Sequence, residues 1–303
     1  MAVNEDLLKH FIDSFPPSTV NDLERQISSL FDKCGLFYRI FSRRKSSFST
    51  IRKLKEKEFE YQEKNKKMQD IIGIRIALYF KDDVDLCTEI ISKNFSVIEI
   101  VRDEEKSDTF KPMRLNIVCT LPDNIISQIP AELWENGIDQ TFEIQIRTIF
   151  SEGWHEVEHD FRYKHSNDWT SHDDLSRNLN GIFATLETCD WAILNILSAL
   201  SYEKYRSKDW GSMLRNVLRI RMDNSPLSSD IIQIFNNDID VAKEFLRIDR
   251  KHLMELLSNP SAYNLPKSLN NIVFFANATM IHNNALEHIT PNLIKNIAMK
   301  IVQ

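Results

Sequence analysis

The period of the hydrophobic pattern changes once along this chain, and that change limits its folds more than any other feature. Up to about residue 149 the apolar residues gather in short β-branched runs bounded by polar turns: IIGIRIALYF (71–80), FSVIEIV (95–101), RLNIVCTL (114–121) and TFEIQIRT (141–148). Such runs read as strands. Beyond that point every apolar pattern has helical spacing, including LNGIFATLETCDWAILNILSAL (179–200). Strands first and helices after them argue for an α+β domain followed by a helical region. Residues 4–40 read as helices broken at Pro16-Pro17, with Ser18 or Thr19 able to cap the second. The basic stretch 42–57 reads as another helix, and Val84 to Lys93 as a helix between strands. The boundary is expected near residue 205, where SYEKYRSKDWGS interrupts the periodicity, giving domains 1–204 and 205–303.

Glycine excludes two classes of phosphate site. Its six positions (35, 73, 137, 153, 181 and 211) allow neither a P-loop nor a dinucleotide-binding G-x-G-x-x-G. A phosphate would have to be held by side chains. Four cysteines lie far apart with no C-x-x-C, and no signal peptide or 18-residue apolar span is read, so a cytoplasmic protein with reduced thiols is expected. The net charge of -6 disfavours indiscriminate nucleic-acid binding. Yet from Arg39 to Lys67 eleven Lys or Arg face four Glu, a local surplus of seven positive charges.

Two strands combine an apolar face with a chemically loaded one. In TFEIQIRT, Phe142, Ile144 and Ile146 alternate with Glu143, Gln145 and Arg147. Such a polar face is either solvent-exposed or the floor of a cleft, where carboxylate, amide and guanidinium converge on a phosphate and its metal. In IIGIRIALYF the isoleucines alternate with Gly73 and Arg75, and Asp70 stands at the entrance. Glycine inside a strand often marks close approach by a ligand. Asp70 and Glu143 form a natural carboxylate pair for Mg²⁺ on a phosphate substrate. The basic stretch supplies the counterpart: Lys45, Ser49 and Lys53 form one polar stripe at i, i+4, i+8, and Phe48, Ile51 and Leu54 an apolar one. Arg43 precedes it, and a guanidinium can stack on a base as well as bind phosphate. The set points to Mg-dependent transfer of a phosphate-containing group without a P-loop.

A competing motif lies in GWHEVEHDFRYKH (153–165), which contains a complete H-E-x-x-H. Read as a zinc peptidase, it would use His155 and His159 as ligands and Glu156 as general base, with His165 at the third-ligand offset of the longer form. That longer form needs a glycine where this chain has Arg162, so the helix is expected to run on and carry His165 away from the metal.

SRRKSSFSTIRKL, DIIGIRI and FEIQIRTIFSEGWHEVEHDFRYK together resemble, in order, the three signature blocks of the synthetase domain of RelA/SpoT-type nucleotide pyrophosphokinases. The resemblance covers roughly residues 20 to 200. It implies a mixed, largely antiparallel sheet of about five strands flanked by helices, a nucleotidyltransferase-like fold, with the all-helical C-terminal region after it. It implies that Arg43 and Arg75 sandwich the adenine of ATP and that Lys45, Ser49 and Lys53 hold its phosphates. Asp70 and Glu143 would bind Mg²⁺, with Glu143 also a candidate general base, and Arg147 and His159 would complete the catalytic set. Gln145 and Glu158 would order it from behind. Trp154 and Tyr163 are read as core packing and a helix-end contact. The family offsets use Glu158-His159, which leaves His155 and Glu156 as incidental surface residues and weakens the zinc reading.

One block departs. Where family members carry a guanine-stacking tyrosine and a histidine, this chain has Pro112 and Asn116, beside an acidic stretch with Asp103, Glu104, Glu105 and Asp108. The expected reaction is transfer of the β,γ-diphosphate of ATP to a ribose 3′-hydroxyl, in alarmone synthesis or as a growth-inhibiting toxin. The acceptor would be GDP or GTP, an adenine nucleotide, or a tRNA 3′ end. A cognate antitoxin or a second copy of the chain are the implied protein partners, and no membrane partner is expected. The rival reading is a nucleotide-binding regulatory module that no longer catalyses.

Overall fold

The computed structural model describes residues 5–56, 67–103, 115–135 and 137–302. They fall into two compact units that are interleaved in the chain: Met1–Ser29, Tyr38–Leu78 and Cys87–Ala184 form the first, and Leu30–Phe37, Tyr79–Leu86 and Thr185–Gln303 the second.

The first unit is built on a five-stranded sheet: β1 (Tyr38–Arg44), β2 (Ile72–Leu78), β3 (Val97–Arg102), β4 (Leu115–Thr120) and β5 (Thr141–Thr148), in the order β1-β2-β5-β4-β3. Only β2 and β5 are parallel; the other three pairings are antiparallel. The α+β class and the mixed, largely antiparallel sheet expected from the sequence are therefore present. Helices α1 (Glu5–Ser14), α2 (Pro17–Cys34), α3 (Ser47–Glu56) and α4 (Val84–Asn94) precede or connect the strands, and two short helices, α5 (Asp123–Ile126) and α6 (Glu132–Glu135), lie between β4 and β5. Alternation decides which face is buried. Ile72, Ile74, Ile76, Phe142, Ile144, Ile146 and Ile117 are at most 2% exposed. Each contributes about 1.5–3 kcal/mol of hydrophobic stabilisation. The opposite face carries Arg43, Gly73 and Glu143 in one cross-strand row and Phe41, Arg75, Gln145 and Asn116 in the next.

Three expectations need correction here. Residues 38–44 are an edge strand and not the end of a helix: Tyr38, Ile40, Ser42 and Arg44 alternate in burial with Arg39, Phe41 and Arg43, and pairing with β2 overrides the helical reading. The apolar stripe of α3 is buried only in part: Ile51 and Leu54 are half-buried, whereas Phe48 is 73% exposed with the Arg52 guanidinium 6.0 Å from its ring centroid. The second helix begins at Pro17, whose fixed φ suits a first turn, so neither Ser18 nor Thr19 precedes it as a cap.

After β5 come α7 (Ile149–Glu158), a π-helical turn His159–Tyr163, and the 34-residue α8 (Asp173–Arg206). By length and composition α8 holds an 18-residue window with a mean hydropathy of 1.2, which corrects the expectation that no such span exists. Acidic residues interrupt that window in the sequence: Glu187 accepts from Lys81 Nζ at 3.0 Å, and Asp190 is buried.

The second unit collects α9 (Trp210–Leu218), α10 (Ser229–Asn237), α11 (Ile239–Leu246), α12 (Arg250–Leu257), α13 (Leu269–Ala276), α14 (Asn284–Ile289) and α15 (Asn292–Val302). Most begin on a side-chain cap written in the sequence, namely Asp209, Ser228, Asp238, Asp249, Ser268 and Asn283. This unit does not start at residue 205. It takes in Leu30–Phe37 because Gly35, at φ +78°, accepts from the Arg221 amide at 2.7 Å, and a Cβ there would meet Ile220 Cγ2 at 2.5 Å. It takes in Tyr79–Leu86 because Asp83 is buried against Arg250.

Candidate active site

A cleft opens on the polar face of the sheet, within the first unit, lined by Phe41, Ser42, Arg43, Lys45, Asp70, Gly73, Ile74, Arg75, Glu143 and Gln145. The backbone register explains how distant sequence positions meet there. Arg43 stands opposite Gly73, and Gly73 opposite Glu143, so the missing side chain of Gly73 leaves a gap between a guanidinium and a carboxylate. The Lys45 amide donates to the Ile71 carbonyl at 2.9 Å, which holds the start of the basic segment at the mouth of β2. Ser46 then caps α3 by accepting from the Ser49 amide at 3.2 Å.

Three groups of charges organise the cleft. Lys45 Nζ and Lys53 Nζ both donate to Asp70 Oδ2, at 2.7 and 2.8 Å. Burial works to raise the Asp70 carboxyl, but the two lysine hydrogen bonds outweigh it and hold it below its ordinary value. Burial lowers Lys45, against the pull of the same carboxylate. Asp70 Oδ1 is buried without a hydrogen-bond partner, the kind of oxygen that a hard cation takes. Second, Glu143 accepts from Asn116 Nδ2 and, at 3.4 Å, from Gln145 Nε2, so amides and not cations steer it. Third, Glu152, in the first turn of α7 and only 8% exposed, accepts from Arg75 Nη1 at 3.2 Å and from Arg147 Nη1 at 2.8 Å. Arg75 Nη1 also donates to Glu156. Burial lowers Arg147, and Glu152 opposes that shift.

Of the residues singled out from the sequence, Arg43, Lys45, Asp70, Arg75, Glu143 and Gln145 line one cleft. Lys53 joins through Asp70, and Arg147 through Glu152 and a 3.4 Å hydrogen bond to Gln145. Ser49 does not line it; its hydroxyl accepts from Ser46 Oγ at 3.0 Å. His159 and Glu158 are likewise not brought to it. His159 meets Asp160 at 2.9 Å and stacks on Tyr163 with ring centroids 5.6 Å apart, and Glu158 accepts from Arg162 Nε at 3.2 Å. Trp154 is buried, donating to the Leu179 carbonyl at 3.1 Å with Phe183 at 5.0 Å, and Tyr163 is exposed at the helix end. Pro112 and the acidic stretch from residue 104 onward lie outside the described residues.

His155 and Glu156 are not incidental. Glu156 is an ion-pair partner of Arg75. His155 Nε2 is buried and unpartnered, and burial, with Arg147 and Arg75 adding to it, pushes the imidazole down to about 3. A neutral histidine is what two neighbouring guanidiniums demand. As zinc ligands the two histidines have different settings, one with a buried Nε2 and one bound to Asp160, and among the described residues no group of three His, Cys, Asp or Glu could hold a metal ion. A site of two carboxylates completed by phosphate oxygens is a different donor set, and Asp70 with Glu143 fits it. Glu152 was missed in the sequence. Its signal is positional: five residues after a cleft-facing strand arginine and in the first turn of a helix, a glutamate can turn back to that arginine.

Comparison with known proteins is consistent with this geometry. The family model described as a region found in RelA/SpoT proteins matches residues 42–168, narrower than the stretch of resemblance read from the sequence. GTP pyrophosphokinase YwaC of Bacillus subtilis (strain 168) is 31% identical over 132 residues, 42% of this chain and 59% of that protein. GTP pyrophosphokinase YjbM of the same organism is 31% identical over 104 residues, 33% of this chain and 44% of that protein. The chain thus spans about half the length of these curated relatives. Small alarmone synthetase 1 from Bacillus subtilis aligns in structure with a TM-score of 0.46 at 22% identity, covering 63% of this chain and 96% of that one. Every charged side chain named in the cleft, from Arg43 to Glu156, falls within residues 42–168, the stretch over which the chain is similar to the region found in RelA/SpoT proteins.

Proposed function

We propose that this chain is a nucleotide pyrophosphokinase that transfers the β,γ-diphosphate of ATP to the ribose 3′-hydroxyl of an acceptor nucleotide, releasing AMP. The observation that carries the reading is the set of side chains that line one cleft around Gly73, the cations Arg43, Lys45 and Arg75 together with the carboxylates Asp70 and Glu143. The relatives' activity as GTP pyrophosphokinases supports the same reaction class. In this reading Arg43 and Arg75 take the adenine, and Lys45 and Lys53 leave Asp70 for the phosphates. Glu143, held by Asn116 and Gln145, accepts the proton of the attacking hydroxyl. The oxygen then attacks the β-phosphorus and the bond to the α-phosphate oxygen breaks, with AMP as leaving group. Asp70 and Glu143 are the residues that would hold Mg²⁺, which when bound offsets charge on the diphosphate. Ser49 and His159 stand outside the cleft, and a part for them requires α3 and the turn after α7 to draw in around substrate.

The acceptor is a guanine nucleotide, an adenine nucleotide or a tRNA 3′ end. Incubation of the purified chain with γ-labelled ATP and GDP, GTP, ADP, ATP or bulk tRNA tests the proposal. Label transfer coupled to AMP release is expected with at least one acceptor. ATP binding without transfer to any of them would favour a regulatory module instead.

A further inference from the structure

Arg75 is held at one nitrogen by two carboxylates of unequal freedom. Nη1 donates to Glu152 Oε1 at 3.2 Å and also to Glu156 Oε1. The Glu152 side chain is 10% exposed and its other oxygen is engaged by Arg147, so it is a fixed brace. The Glu156 side chain is 53% exposed and sits one helical turn further along α7, and Oε2 accepts no hydrogen bond among the described residues. Both carboxylates meet Arg75 at Nη1, and the Arg75 side chain, 19% exposed, lines the cleft where a base would lie against it. A purine lying there brings its own edge within reach of Glu156, which can turn toward it while Glu152 keeps Arg75 in place.

We propose that Glu156 selects the base of the nucleotide donor by accepting a hydrogen bond from a 6-amino group. This rests on the reading of Arg75 as a platform for the adenine of ATP. Adenine offers a 6-amino donor where hypoxanthine and guanine offer a 6-oxo acceptor. A carboxylate has only lone pairs to present, so it attracts the first and repels the second. Hydrogen bonds to charged groups are strong enough for roughly ten- to hundredfold discrimination. Discrimination of this type is sharper than one built on shape, since the rejected base leaves a charged acceptor unpaired.

ATP and ITP differ only along this edge of the base, in the 6-substituent and in the hydrogen that hypoxanthine carries on N1, and are the probes. The ratio of their kcat/KM values is measured for the parent, Glu156→Gln and Glu156→Ala, alongside the ratio of their dissociation constants by calorimetry. The parent is expected to favour ATP roughly ten- to hundredfold. In Glu156→Gln the ratio should fall toward one, because a carboxamide can rotate its NH₂ toward the 6-oxo group. In Glu156→Ala it should fall as well, with ATP losing more than ITP gains. A ratio cancels differences in folded fraction, so a partly unfolded variant still reports. An ATP preference unchanged in both variants, or a parent that does not distinguish the two, would overturn the role of Glu156. If ATP binds selectively but nothing is transferred, the proposed reaction fails and the selection by Glu156 stands. If the parent binds no ATP, both fail.

Discussion

Arg250 donates to both carboxylate oxygens of Asp83, at 2.6 and 3.1 Å, across 167 positions of chain. Asp83 is fully buried and Arg250 is 9% exposed, yet no strong group is left unsatisfied, because Arg250 also donates to the carbonyls of Leu218 and Arg219 at 2.7 and 3.2 Å. The pair fixes the turn after β2 to α12 within the second unit. Taking two charges out of water is expensive, so the net worth of such a pair is small, whereas breaking it strands a buried charge.

Asp83→Ala is therefore expected to cost about 3–5 kcal/mol in urea denaturation, with the double variant Asp83→Leu, Arg250→Met recovering most of the loss. A single variant within 1 kcal/mol of the parent, by the same order-of-magnitude scale, would mean that Arg250 finds other anions and the pair does not hold this turn.

His155 makes stability pH-dependent with a defined sign. Its folded-state value is pushed down to about 3 from an ordinary 6.5, first by burial and then by Arg147 and Arg75. Between those values the unfolded chain binds a proton that the folded chain does not, so stability is full above pH 6.5 and falls as pH drops toward 3. The slope from this group is at most about 1.4 kcal/mol per pH unit, reduced because the ring is not fully enclosed. Carboxylates titrate in the same range, so the readout is the difference between parent and His155→Leu. That difference should shift in favour of the variant on going from pH 7 to 4.5, and a constant difference would refute a neutral buried His155.

Gly73 permits a test that separates folding from function. A Cβ built there meets only Arg43 Cγ and Nε, each at 3.9 Å, which is ordinary contact. Gly73→Ala should thus fold with stability within about 1 kcal/mol of the parent. Its methyl would stand on the cleft floor between Arg43 and Glu143, and ATP affinity should drop roughly ten- to hundredfold by overpacking. Unchanged ATP affinity by calorimetry would place the nucleotide elsewhere.

How much of this was legible in the sequence depends on whether a residue's partner lies on a strand of fixed period. Alternation in TFEIQIRT and IIGIRIALYF placed Glu143, Gln145, Arg147 and Arg75 on one face, because a side chain in a strand can point only two ways. Asp70 followed from its position at a strand mouth, whereas Lys45 was read onto a helical stripe and in fact precedes the helix, which starts at Ser47. What stayed hidden depends on pairing across the fold. YRIFSRR carries too few apolar residues to declare itself a strand and becomes one through its ladder with β2. Glu152 and Glu156 reach Arg75 from α7, whose rotation about its own axis is set by burial of Trp154, not by local spacing. The same rotation is why His155 turns its Nε2 inward while His159, in the π-helical turn, faces Asp160 and Tyr163.

The last prediction concerns the two carboxylates, which the structure sets in different company. Asp70 is held by two ammonium groups and Glu143 by two amides, so neutralising each should fail differently. Asp70→Asn removes the anion that Lys45 and Lys53 share and a ligand of the proposed Mg²⁺. Transfer should fall on the order of a thousandfold, from a loss of several kcal/mol at the transition state. Its dependence on Mg²⁺ concentration should move to higher values. Glu143→Gln keeps its partners, since an amide oxygen can still accept from Asn116, so the cleft should keep its shape and ATP its affinity. Without a proton acceptor, kcat should fall roughly 10²- to 10⁴-fold. Glu143→Gln should unfold at nearly the parental denaturant midpoint, whereas Asp70→Asn, which removes the carboxyl that Lys45 and Lys53 hold below its ordinary value, should lower the midpoint modestly while the protein still folds. If Glu143→Gln retained kcat and lost only Mg²⁺ affinity, Glu143 would be a metal ligand alone, and the proton would have to leave by another group of the cleft.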